Sequence, residues 1–152
     1  MPIYIAMLRG INVGAHKRMK MDKLRACCEA LGLKQVKTFI QSGNVIFEAE
    51  KASLAALSKR IAEQILKDFG FSVEVISRTR DELAKIIRDN PLLNENKAEV
   101  SKLHVVFLSE APAAAAIKKL ESLTLSPDWQ ARLARSWRAA SGLPPGWLSS
   151  AN

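Results

Sequence analysis

The chain is short of the residues from which metal and redox sites are built. Its 152 residues include two cysteines and two histidines. Cys27 and Cys28 are adjacent, so they do not readily pair with each other, and there is no third cysteine to bridge to. That argues against a disulfide framework and fits a reducing cytoplasm. No Cys/His set has metal-ligand spacing, so neither a metal nor a cofactor is expected. Acidic residues are also scarce. Fifteen Asp and Glu stand against 23 Lys and Arg, and no two carboxylates are placed to suggest paired acid–base work. Long apolar runs are missing too. None approaches the roughly 18–20 residues of a membrane helix. The opening PIYIAML is too short for a secretory signal and has no basic segment before it, so neither a leader nor a membrane span is expected.

What is present describes a folded domain with a basic surface. Hydrophobic residues make up 48% of the chain and charged residues 25%, enough apolar material for one large domain or two small halves. The net charge of +8 favours polyanionic partners: nucleic acid, phosphorylated ligands or an anionic surface.

The order of elements can be read from periodicity. Pro2 to Leu8 is a buried strand. Met21 to Leu31 sets Leu24, Cys27, Cys28 and Leu31 at helical spacing, and Gly32 stops the helix. Val36–Ile40 and Val45–Phe47 form a hairpin across the turn QSGN, Gln41 to Asn44. Ala52 to Phe69 is the clearest helix, with Leu54, Leu57, Ile61 and Ile65 on one face and Gly70 at its end. Phe71 to Ile76 alternates as a half-buried strand should.

The resulting βαββαβ order predicts a ferredoxin-like α+β unit over residues 1–77. A second, related α/β half, shorter and incomplete, then follows over 78–125. It has a capping box at Thr79 and Glu82, a loop over Asn90–Lys97, a strand at Leu103–Leu108, and a helix opening at Pro112 and running to about Leu123. Residues 126–152 are an atypical basic tail rich in Trp, Arg and Pro. Trp129, Leu133 and Trp137 fall at helical spacing there, and Pro144, Pro145 and Gly146 break regular structure.

The ferredoxin-like strand order, 4-1-3-2, brings two polar segments to one edge of the sheet. One is RGINVGAHKRMK, Arg9 to Lys20, after the first strand, and the other is the QSGN turn before the third. The candidate ligand-binding residues on this edge are Arg9, Gly10, Asn12, Gly14, Lys17, Lys20, Gln41, Ser42, Gly43 and Asn44, with Arg18 beside them. Backbone N–H groups exposed by glycine, together with Arg and Lys, suit a phosphate or carboxylate. The helix beginning near Met21 adds the positive end of its dipole. The loop is neither a Walker loop, which closes with G-K-[ST], nor G-x-G-x-x-G. His16 lies in the same loop. Ser42 has no His-plus-carboxylate partner in sequence order, and His104 alternates within an apolar strand as a sheet residue.

The stretch YIAMLRGINVG, the M-x-x-L-R that follows, and KTFIQSGNVIF resemble domain-of-unknown-function family 1697, with looser similarity through KLHVVFL at Lys102–Leu108. The resemblance covers residues 1 to about 125. It implies a duplicated ferredoxin-like fold, a bacterial source and no assigned catalytic residues. It marks Arg9, Gly10, Asn12, Gly14, Gln41, Ser42, Gly43 and Asn44 as characteristic positions. The tail departs from the family's strand hairpin, G-R-[ST]-K and R-N-W-N-T segments, as a truncated or frameshifted reading frame would. On that reading the second half lacks its closing hairpin and leaves a strand edge open.

Three functions remain open. The first is binding of an anionic partner, either nucleic acid or a phosphorylated small molecule, at the loop edge. The second is an enzyme on a small phosphorylated or carboxylated substrate, with His16 as acid–base. The third is a structural domain that forms homo-oligomers. Aromatics on the strands are few and no RNP-like motif is present, which weighs against RNA bound across the sheet.

Overall fold

A computed structural model of the chain describes residues 1–90, 103–108, 111–121 and 147–151. The chain divides into two compact units, Met1–Asp81 and Glu82–Asn152.

The first unit is a four-stranded antiparallel sheet with two helices. Its elements run β1 (Ile3–Leu8), α1 (Met21–Ala30), β2 (Lys34–Phe39), β3 (Asn44–Glu48), α2 (Leu54–Phe69) and β4 (Val75–Thr79). The sheet order is β2-β3-β1-β4, which is the expected 4-1-3-2 arrangement read from the other side. β1 sits centrally, pairing Tyr4 with Phe47 of β3 and with Thr79 of β4. One extra residue on β2 bulges between Lys34 and Lys37, where Gln35 takes φ +50.

Both helices pack on the sheet face that carries Tyr4, Ala6, Leu8, Val45 and Phe47. Leu24, Cys27 and Cys28 face it from α1, and Leu57, Ile61 and Ile65 from α2. Burying each of these larger aliphatic side chains contributes about 1.5–3 kcal/mol relative to exposure. The helix ends follow their sequence signals. The Ser53 hydroxyl accepts from Ala56 N–H at 3.1 Å as the N-cap of α2, and Gly70 ends that helix in the left-handed region at φ +74. Half-buried Ser58 of α2 meets buried Ser77 of β4: the Ser58 hydroxyl donates to Ser77 Oγ at 2.9 Å and accepts from Ser77 N–H at 3.1 Å.

The fourth strand corrects the sequence reading. It begins at Val75 rather than Phe71, and its later residues Ser77, Arg78 and Thr79 are polar. Alternation alone favoured Phe71–Ile76. Pairing with Tyr4–Leu8 pulls the strand four residues onward, because β1 supplies hydrogen bonds along its whole length.

The chain then continues as α3 (Arg80–Arg88), which starts directly after Thr79 and runs from one unit into the other. Within the second unit lie β5 (Leu103–Phe107), α4 (Ala114–Glu121) and β6 (Trp147–Ala151). α4 starts two residues after Pro112, with the Ala113 carbonyl accepting from Ala116 and Ile117 N–H. From the tail, β6 pairs antiparallel with β5, with Phe107 opposite Trp147 and Leu103 opposite Ala151, and these are the two strands of that sheet among the described residues. WLSSA follows P-P-G directly and takes strand form through pairing with β5, a non-local cause that local pattern does not show. The expected loop beyond Asn90, the Trp129–Trp137 helical segment with its arginines, and Pro144–Gly146 lie outside the described residues.

Candidate functional site

The topology does bring the two polar segments together. Met7 pairs with Asn44, and Leu8 N–H donates to the Gly43 carbonyl at 3.2 Å, so the loop after β1 leaves the sheet beside the turn before β3. Asn12 fastens them. Its Nδ2 donates to the carbonyls of Met19 at 2.9 Å and Gln41 at 2.8 Å, while its Oδ1 accepts from Met19 N–H at 2.7 Å. The backbone there is left-handed, φ +55, a conformation asparagine tolerates better than most residues. Gly43 is required for a different reason. At φ +82 it lies against buried Ile11, and a Cβ would overlap Ile11 Cδ1 and stand 3.1 Å from Leu8 Cβ.

Between the fastened segments and the start of α1 lies a cleft of about 670 Å³, lined by Asn12, Arg18, Met19, Lys20, Met21, Asp22 and Gln41. Lys20 is the N-cap residue of α1. Its carbonyl accepts from Leu24 N–H at 3.0 Å, and no side chain caps the helix. Met21 and Asp22 of the first turn line the cleft, at the positive end of the helix dipole, where the N-cap side chain makes no capping hydrogen bond. Arg18 and Lys20 are exposed, and neither makes an ion pair among the described residues. Asp22 is the cleft's acid, and its carboxylate lies 3.5 Å from Arg25 Nη2.

The ten candidate residues separate into groups. Asn12, Lys20 and Gln41 line the cleft. Asn12 already uses both amide hydrogens and its oxygen within the protein, so it shapes the site rather than presenting a free group. Arg9 forms an exposed ion pair with Glu74 at 3.0 Å, and Lys17 Nζ donates to the Ser72 carbonyl at 2.8 Å, so both cations are tied to the segment before β4. Ser42 Oγ accepts from Asn44 Nδ2 at 3.0 Å. Gly10 and Gly14 are exposed, with φ +69 and +64 and open space around them. Met19, Met21 and Asp22 were missed. The helix start at Met21 was the signal that could have placed all three at the cleft.

His16 is exposed in the loop and does not line the cleft. Cys27 and Cys28 are buried and free. Burial pushes both thiols up to about 12. The neighbouring Cys28 and a hydrogen bond with Asp68 add to the effect on Cys27, and nearby Glu29 to that on Cys28. Such thiols carry no reactive thiolate near neutral pH. Among the described residues no group of three or more His, Cys, Asp or Glu could hold a metal ion, and no helix is long and apolar enough to cross a membrane.

Comparison with known proteins agrees with the fold. The sequence profile of a family of proteins of unknown function, DUF1697, matches residues 1–134. A solved structure of a conserved bacterial protein from Streptococcus pneumoniae superposes with a TM-score of 0.68 at 24% identity, covering 82% of this chain and 68% of that one. No curated protein matches. The chain therefore belongs to the DUF1697 family.

Proposed function

We propose that this member of the family binds an anionic ligand, a phosphorylated small molecule, in the cleft at the N-terminus of α1. One observation carries the reading: Arg18, Lys20, the uncapped first turn of α1 and the Gln41 side of the turn converge on a single cleft. A phosphate seated there would meet backbone N–H donors and two cations that make no ion pair among the described residues. The volume lies within the range of small-molecule sites, roughly 300–1,000 Å³, and the chain's +8 charge draws anions toward it. Catalysis has less support, because His16, the candidate acid–base, is not part of the cleft lining.

The test is a thermal-shift titration of the full chain with inorganic phosphate, sugar phosphates, nucleoside monophosphates and short single-stranded RNA, at low and moderate salt. A phosphorylated small molecule should stabilise saturably, by about 2.7 kcal/mol at a hundredfold excess over its Kd. The double variant Arg18→Ala/Lys20→Ala, with unchanged circular dichroism, should lose the effect. Stabilisation by RNA alone, collapsing steeply with salt, would replace the small molecule with a nucleic-acid ligand. Stabilisation that survives the double variant, or none from any anion, would overturn the reading.

A further inference from the structure

The sheet face turned away from the helices is unusual for a surface. Register places its side chains in rows across the strands. Phe39, Asn44, Met7 and Ile76 form one, and Lys37, Ile46, Ile5 and Arg78 the next, with Ile3 beside Glu48 beyond. β1 is thus apolar on both faces, the pattern of a strand buried on both sides. Yet Ile46 is 37% exposed and Phe39 64%. From this we infer that the outer face of the four-stranded sheet docks an acidic amphipathic helix of a partner protein, at a site separate from the anion cleft.

Size and charge select this occupant. Ile46 and Ile76 stand two strand spacings apart, about 10 Å, close to the width of an α-helix. Ile3 to Met7 runs about 13 Å along β1, which a helix covers in about nine residues. The apolar stripe is about one helix wide, which suits a single helix better than a second four-stranded sheet. Two chains of net charge +8 would also repel. The exposed Lys37 stands at the margin of the apolar stripe, where an acidic shoulder of an amphipathic helix would reach it.

The experiment titrates the full chain into a labelled synthetic amphipathic peptide of about 18 residues, with Leu on one face and Glu on both shoulders. A control peptide carries Lys in place of Glu. The Glu peptide should bind at least tenfold more tightly than the control. Ile46→Glu should weaken it by about tenfold or more, and Phe39→Ser provides a second, exposed site should Ile46→Glu lower folding. Lys37→Glu should narrow or reverse the preference between the peptides. Arg18→Ala/Lys20→Ala should leave peptide affinity unchanged, which separates this result from the fate of the anion cleft. Equal binding of both peptides, or indifference to both apolar substitutions, would overturn the inference. So would a concentration-dependent dimer in sedimentation that Ile46→Glu abolishes, since it would assign the face to a second copy.

Discussion

Replacing Gly43 by alanine tests whether the loop edge is built by packing or merely tolerated. Two costs add. Holding a non-glycine residue at φ +82 costs about 1–2 kcal/mol. The new Cβ also overlaps Cδ1 of Ile11, which is 3% exposed and has no solvent to retreat into. Overpacking of that kind costs about 1–3 kcal/mol. The expected loss is therefore about 2–5 kcal/mol. Gly14→Ala is the internal control. It shares the left-handed backbone, φ +64, but meets nothing within 4 Å, so it should lose only the conformational part. A second control removes the obstacle. Ile11→Val deletes Cδ1, and in that background Gly43→Ala should cost about 1 kcal/mol less than in the wild type, a coupling a double-mutant cycle isolates. Urea unfolding followed by far-UV circular dichroism gives the energies, and hydrogen exchange of the β1 and β3 amides assigns them to the first unit. Tryptophan fluorescence would not, since all three tryptophans lie at position 129 or later. Equal losses for Gly43→Ala and Gly14→Ala, or no coupling to Ile11→Val, would refute the argument.

Other outcomes follow from the same geometry. Asn12→Ala removes hydrogen bonds to Met19 and Gln41 and should cost about 2–3 kcal/mol, with faster hydrogen exchange through residues 9–20 ahead of the rest of the unit. Arg9→Ala and Lys17→Ala should change stability by less than about 1 kcal/mol, and anion affinity less than about threefold, because both side chains point to the segment before β4. Titrating each single variant with inorganic phosphate and a sugar phosphate checks this against the loss expected at Arg18 and Lys20 on the proposed reading. The buried thiols make stability depend on pH. Their folded values, about 12, lie above the unfolded value of 9.0, so the stabilisation is complete below pH 9 and lost as pH rises from 9 toward 12. Urea midpoints measured across that window should fall more steeply for the wild type than for Cys27→Ala/Cys28→Ala.

Local signals proved sufficient for most of the first unit. The Ile61 and Ile65 stripe, the Ser53 cap and the glycines at 32 and 70 state their roles within a few residues of chain, because capping and amphipathicity are short-range effects. The convergence of RGINVGAHKRMK with QSGN was also legible, since antiparallel pairing of β1 with β3 forces their ends together. Tertiary structure decided what those residues do there. Arg9 and Lys17 read as free cations in the loop, but they meet Glu74 and the Ser72 carbonyl, partners more than 50 residues away in sequence. Asn12 read as a ligand group, but three backbone contacts use its amide. Arg18 and Lys20 make no ion pair among the described residues, beside a helix start that its N-cap side chain does not cap. β4 begins four residues late, and β6 forms after P-P-G, because a strand takes its position from the neighbour it pairs with. Sequence alone thus determined which segments become helices and which chain ends share an edge. Which of the edge's charges are taken up by partners within the protein depends on contacts made across the fold, and a local pattern carries no record of those.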